Sequence, residues 1–179
     1  MILTGHEILR EYAARRILIE PFDVDQLNPN SYNFRLGEQL NVYRQHPVDP
    51  RQPNPVTPIY IPKQGLVLRP HRLYLAHTLE AMGSDHYAPT FAARSSVARL
   101  GLFINLSASL GDIGFHGQWT LQLFAAQPLR IYRGMRIGQI MWWCPQGEIV
   151  LYDGKYQGST GPCASRSFQD YTDDSEVAS

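Results

Sequence analysis

A chain of 179 residues has the length of one domain with a real interior. Its 16 basic residues balance its 16 acidic ones, which argues against a general nucleic-acid or membrane-surface binder. Two cysteines, Cys144 and Cys163, are too few for a disulfide framework or a zinc site, and no apolar run approaches the ~20 residues that span a bilayer. Residues 1–30 carry no basic-then-apolar leader, because Glu7, Arg10, Glu11, Arg15 and Arg16 interrupt them, so a soluble cytoplasmic protein is expected.

Thr4-Gly5-His6-Glu7 reads as a capping box, with Thr4 at the N-cap and Glu7 reaching back. Ile8, Leu9, Tyr12 and Ala13 follow at helical spacing and predict a helix over about residues 5–15, packed on the body or on a neighbouring subunit. Residues 17–22 read as extended and 23–29 as a turn. Tyr32 and Phe34 alternate in a strand that closes on a turn at Gly37. Six prolines between Pro47 and Pro62 forbid a central strand and predict a surface loop. Residues 65–70 and 73–80 read as two strands. His71 and His77 have no Cys or acidic partner at metal-ligand spacing.

The stretch from Arg94 to Gln122 carries the most chemistry. Ser95 and Ser96 precede a single helical turn, Val97–Leu100, stopped by Gly101. A serine there offers its hydroxyl to free backbone N–H groups, and the same groups attract anions such as phosphate. Arg94 and Arg99 add fork-shaped donors suited to phosphate oxygens. Leu102, Ile104, Leu106 and Ala108 alternate on one face of an expected strand, which ends at the turn 111–117 with Asp112 and Phe115. A second strand is expected to place Trp119, Leu121 and Leu123 on its core face and Thr120, Gln122 and Phe124 on the other. The pattern suits a nucleotide site, and it equally suits a plain hairpin preceded by a capped turn.

Residues 129–132 read as a strand and 140–144 as another, with Trp142 and Trp143 facing opposite ways, one into the core and one toward a second surface. Glycines at 134 and 138 permit close backbone approach beside Gln139. Lys155, Tyr156 and Gln157 sit in a Gly-rich segment able to fold over bound phosphates, so removing everything after Gly154 is expected to weaken ligand binding and leave the fold standing. Many short strands, frequent glycine turns and one N-terminal helix give an all-β sandwich or barrel, with one domain over 1–166 and a flexible tail over 167–179.

Arg94-Ser95-Ser96-Val97-Ala98-Arg99-Leu100-Gly101-Leu102 resembles the core of the dCTP deaminase family, within the dUTPase superfamily. The turn is similar to that family's A-x-x-I-D-P-G-[aromatic]-x-G in Ala108, Asp112, Gly114, Phe115 and Gly117, with Gly111 and Ile113 in place of the usual Ile and Pro. Residues 28–37 resemble its N-P-x-S-Y-D-x-R-L-G with Asn33 for Asp, residues 74–80 its Y-L-x-x-T-x-E, 134–139 its G-M-x-I-G-Q, and 155–162 its K-Y-Q-G-x-x-G-P.

The resemblance implies a distorted jelly roll with a short N-terminal helix, a homotrimer with sites between subunits, and a deoxypyrimidine nucleoside triphosphate as ligand, with Mg²⁺ carried mainly on its phosphates. It assigns Arg94, Ser95, Ser96, Gln139, Lys155, Tyr156 and Gln157 to substrate binding, Ser95, Arg99 and Ala108 to the water and base pocket, and Phe115 to the deoxyribose. The family's catalytic Glu falls on Gln122. An amide has no proton acceptor near neutral pH, so Gln122 can hold water or cytosine but cannot act as the base. Three activities follow: deamination of dCTP to dUTP and ammonia, release of pyrophosphate by a dUTPase-type reaction using Asp112, or non-catalytic nucleotide sensing.

Overall fold

Period-two alternation of apolar residues builds nearly every element of the computed structural model, which describes residues 1–171. In chain order these are α1 (Gly5–Ala13), β1 (Leu18–Glu20), β2 (Leu27–Asn28), β3 (Ser31–Arg35), β4 (Gln39–Tyr43), β5 (Val56–Tyr60), β6 (Leu66–Leu68) and β7 (Leu73–Gly83). They continue with β8 (Ala88–Ala93), α2 (Ser95–Ala98), β9 (Leu102–Phe103), β10 (His116–Ala125), β11 (Leu129–Ile131) and β12 (Arg136–Trp143), with 3₁₀ turns at Val24–Gln26 and Ser167–Tyr171. One sheet runs β5-β4-β7-β10-β9, with β1 also on β7; a second runs β2-β3-β12-β8, and β11 pairs with β6. The strand pairs are antiparallel. Leu121 and Leu123 of β10, Ala76 and Met82 of β7, Phe34 of β3, and Ile140 and Trp142 of β12 share one core. This is the all-β jelly-roll arrangement with a short N-terminal helix.

One ion pair inside this frame explains two sequence motifs. The fully buried Glu80 of β7 accepts from the Arg35 backbone N–H at 2.8 Å and from Arg35 Nε at 2.6 Å. Arg35 belongs to β3, so this pair stitches the two sheets together. Beside it, the Gly37 N–H donates to the His77 carbonyl at 2.8 Å, and a Cβ on Gly37 would lie 2.1 Å from the His77 ring. Arg35, Gly37, Thr78 and Glu80, all motif residues, are thus one structural joint.

At α1, Thr4 Oγ1 accepts the Glu7 N–H at 3.4 Å, but the Glu7 carboxylate takes Arg10 at 2.5 Å and does not reach back, so only half the expected capping box forms. The buried Glu11 accepts from Arg16 Nε and Nη2, each at 2.5 Å, and from the Tyr87 hydroxyl at 2.7 Å. The Arg16 guanidinium holds its carboxyl down at about 2, below the ordinary 4.5. A depressed folded-state value stabilises the fold above the unfolded value and withdraws that support as pH falls through the folded one. Denaturant titrations should therefore show stability falling between pH 4.5 and about 2, with that fall much reduced in Glu11→Gln. Equal acid sensitivity in both proteins would remove Glu11 as its source.

Three expectations are corrected and one is extended. Residues 56–60 form an edge strand on β4 rather than loop, and Pro58 sits opposite Asn41, where an edge tolerates it. The strand expected over 102–108 stops at Phe103; Leu102 and Ile104 are buried, but Leu106 and Ala108 are exposed. Trp119 packs against the core as Leu121 and Leu123 do, but it is only half-buried and also lines a cavity; the register of β10 against β7 shifts between Gln118 and Thr120, with the extra residues on β7. Residues 167–171 of the expected tail form a 3₁₀ turn, and 172–179 lie outside the described residues.

Candidate active site

β10 and β7 form the floor of a cavity of about 450 Å³. Thr120 lies opposite His77, Gln122 opposite Leu75 and Phe124 opposite Leu73, so these pairs project from one sheet face. The turn 111–117 supplies one wall with Asp112 and Phe115, and Ala108 stands at its edge. The far wall is the segment 159–165 with Tyr152 and Tyr156. Phe115, Trp119, Phe91 and Tyr152 contact one another edge to face, with ring centroids 4.7–6.1 Å apart.

Gln122 is held by its backbone, whose N–H donates to the Ile104 carbonyl at 2.8 Å. Its Nε2 makes one long bond, 3.3 Å, to the Thr120 carbonyl, while its Oε1 is buried and has no hydrogen-bond partner among the described residues. Leaving a buried acceptor unpaired costs about 1–3 kcal/mol. Gln122 lines the aromatic cavity, and a turn of its amide would offer the shielded, unpaired oxygen to an N–H donor there.

Of the residues expected at the site, the structure gathers Ala108, Asp112, Phe115, Gln122 and Tyr156 around this cavity. It does not bring Arg94, Ser95, Ser96, Arg99, Gln139, Lys155 or Gln157 to its lining. Arg94, not a serine, occupies the N-cap of α2 and makes no side-chain cap bond. Ser95, Ser96 and Arg99 are exposed, and neither Arg94 nor Arg99 forms an ion pair among the described residues. Gln139 Oε1 accepts from Ser31 Oγ at 3.1 Å, in a chain of amides running through Asn28 to the buried Asn33. Asn33 itself donates to the Gln26 carbonyl at 3.1 Å, so the amide in the acid's usual place has structural partners. Lys155 Nζ is taken up by Asp170 at 2.5–2.6 Å, and that carboxylate pushes the Lys155 ammonium above its ordinary range.

Gln157 clamps the C-terminal segment to the turn: its Oε1 accepts the His116 N–H at 2.9 Å, and its Nε2 donates to the Gly114 carbonyl at 2.7 Å. Further latches run from the Gly161 N–H to Gln118 Oε1 (2.6 Å), from the Cys163 N–H to Thr120 Oγ1 (3.0 Å) and from Asn41 Nδ2 to the Pro162 carbonyl (2.7 Å). The segment is thus built into the domain. A chain ending at Gly154 is expected to lose about 2 kcal/mol net of ordering entropy, lowering Tm by about 4–8 °C in thermal denaturation. An unchanged Tm would restore the picture of a free flap.

Sequence reasoning missed Gln118, Trp119 and Thr120 as lining, and Tyr43 and Cys163 as well. Periodicity puts Trp119 on the core face, where it packs, and carries no signal that a half-buried ring also lines a cavity. As for a metal, no cluster of three His, Cys, Asp or Glu side chains occurs among the described residues, and Asp112 is the single carboxylate lining the cavity. One carboxylate fits Mg²⁺ that arrives on phosphate oxygens and keeps most of its ligands from water and substrate. Likewise, no helix among the described residues is long and apolar enough to cross a membrane.

A family model described as dCTP deaminase-like matches residues 2–144, and the chain belongs to that family. The curated protein named "dCTP deaminase, dUMP-forming" from Leptospira biflexa is 46% identical over 172 residues, covering 96% of this chain and 98% of that one. Its namesake from Clostridium acetobutylicum is 43% identical, with 96% and 99% covered. Both relatives are enzymes of the deaminase type by name. The crystal structure of 2′-deoxycytidine 5′-triphosphate deaminase from Agrobacterium tumefaciens shares the fold, with a TM-score of 0.65 at 22% identity over 80% of this chain. This chain spans about half of that protein, covering 48% of it.

Proposed function

We propose that the cavity binds the pyrimidine of a deoxynucleoside triphosphate, with dCTP as the substrate to be deaminated. The observation that carries this reading is the orphaned Gln122 Oε1. The 4-amino group of cytosine is a donor of the kind it lacks, and Gln122 Nε2 can turn from its long bond to donate to ring N3. The relatives' names support dCTP, and their term "dUMP-forming" implies two hydrolyses. Water replaces ammonia at C4, giving dUTP; a second water attacks phosphorus, giving dUMP and pyrophosphate.

For the first step, a group must take the proton of the attacking water and pass protons to N3 and the leaving ammonia. Gln122 cannot do so, hence ammonia release is expected to be slow. For the second, Asp112 is the one carboxylate lining the cavity among the described residues, and so the available base. Mg²⁺ would neutralise the charge of the phosphates it accompanies.

The triphosphate needs cations, and this cavity has none of the expected ones. The half-buried Arg94 and the exposed Ser95, Ser96 and Arg99 would serve a cavity on another copy, as in a homotrimer with intersubunit sites. Supporting this, Leu100, Phe103, Leu106 and Leu110 lie 50%, 49%, 54% and 70% exposed between α2 and the cavity rim. One domain over residues 1–166, acting in the cytoplasm, fits this reading. A dUTPase-type hydrolase and a non-catalytic sensor are the other outcomes.

Incubation with dCTP or dUTP and Mg²⁺, assaying ammonia and pyrophosphate separately, decides among them. Ammonia from dCTP supports the deaminase, pyrophosphate from dUTP alone the hydrolase, and tight binding with neither product the sensor. Phe115 is buried against Trp119 and lines the cavity, so a sugar packed on it leaves no partner for a 2′-hydroxyl. Phe115→Ala should narrow the ratio of CTP to dCTP dissociation constants; equal binding of both by the unaltered protein would end this assignment.

A further inference from the structure

Gly111 and Trp119 are two halves of one device. A Cβ on Gly111 would lie 2.1 Å from Trp119 Cη2 and 2.5 Å from Cζ3, distances no side chain tolerates without movement of the ring. The ring is not free to move. Its Nε1 donates to the Met82 carbonyl at 3.1 Å, its backbone N–H donates to Thr78 Oγ1 at 2.9 Å, and Phe91 and Phe115 meet it edge-on at 5.5 and 4.7 Å. Pro89 Cγ, 2.8 Å from the same Cβ position, closes off retreat of the Gly111 backbone. This indole, half-buried against the core, also lines the cavity, three residues before Gln122.

We propose that Trp119 is the specificity-determining residue of the cavity, an immobilised aromatic surface against which the pyrimidine ring packs, and that glycine at 111 is what admits it. The inference rests on the pyrimidine-site reading above. The division of labour is physical. Gln122 supplies two hydrogen bonds but no fixed plane, because an amide rotates. A clamped indole supplies the plane at little entropic cost, since its two torsions are already fixed by packing. The two together define where C4 stands relative to an attacking water.

The test is equilibrium binding of dCTP and, separately, of inorganic tripolyphosphate, both with Mg²⁺, to the full chain and to Trp119→Leu and Gly111→Ala. Base–aromatic packing is typically worth a factor of about 5–150 in affinity. Both variants should lose about that factor for dCTP while holding tripolyphosphate as the unaltered protein does. The unaltered protein should also change its tryptophan fluorescence on adding dCTP, and Trp119→Phe should abolish the change while keeping the fold. Unchanged dCTP affinity in folded Trp119→Leu, or a persisting fluorescence response in Trp119→Phe, overturns the proposal. Failure of the unaltered protein to bind dCTP at all would instead overturn the pyrimidine-site reading, which separates the two failures. Should Trp119→Leu not fold, Gly111→Ala paired with Trp119→Phe carries the same comparison.

Discussion

Gln122→Glu is expected to raise ammonia release from dCTP by about 10²–10⁴-fold, the contribution of a positioned general base. The backbone at 122 is fixed by its bond to Ile104, and Gln122 lines the cavity with its side-chain oxygen unpaired among the described residues. A carboxylate of the same length would put an oxygen in the same place, now able to accept a proton from water and return it. The largely aromatic and aliphatic surroundings would raise its pKa toward neutrality, where proton transfer in both directions is efficient. Binding of dCTP should change far less than turnover, because both side chains can accept from the 4-amino group. Brisk ammonia release from the unaltered protein would mean that another group supplies the base. No gain from the carboxylate would mean that the site has diverged elsewhere, with Asn33 and the Gly111–Ile113 turn the first places to look.

The second large effect is on stability. Arg35→Ala should cost about 3–5 kcal/mol, because it strands a fully buried Glu80 without its cation. For a chain of this size that corresponds to a fall in Tm of about 6–20 °C. Arg35 retains part of its surface in water, so the lower half of that range is the better expectation. The cost lies in the unpaired charge and not in lost attraction alone. The double replacement Arg35→Met with Glu80→Leu should therefore recover most of it. A single variant as stable as the parent would show that water reaches Glu80 and that the sheets are held together without this pair.

The sequence carried the fold well because strand periodicity and glycine turns are local signals. The strands around Tyr32, Leu75, Leu121 and Ile140 emerge where alternation placed them. Alternation along β10 places Trp119 against the core, as found, but does not show that the same half-buried ring also lines a cavity. Leu106 and Ala108 continue an alternating pattern outside any strand; pairing resumes only at Leu110, which bridges to Thr90 of β8, with Phe91 N–H and Gly111 N–H bonding to the Ser109 and Pro89 carbonyls. The site was legible in part. Ala108, Asp112, Phe115, Gln122 and Tyr156 converge as the motif spacing suggested. Arg94, Ser95, Ser96 and Arg99 do not, because spacing along a chain does not say which surface a side chain reaches. Gln139 and Gln157 looked like ligand groups, yet each has its oxygen engaged by neighbouring protein donors. From sequence alone an amide that binds substrate and one that binds its own backbone read alike.

The most direct measurement is a crystal structure of the protein with dCTP and Mg²⁺. The account predicts the cytosine packed on Trp119 with its 4-amino group donating to Gln122 Oε1. It also predicts phosphates reached by Arg94, Ser95 and Ser96 of a neighbouring copy. Electron density for the base anywhere outside this cavity would contradict it.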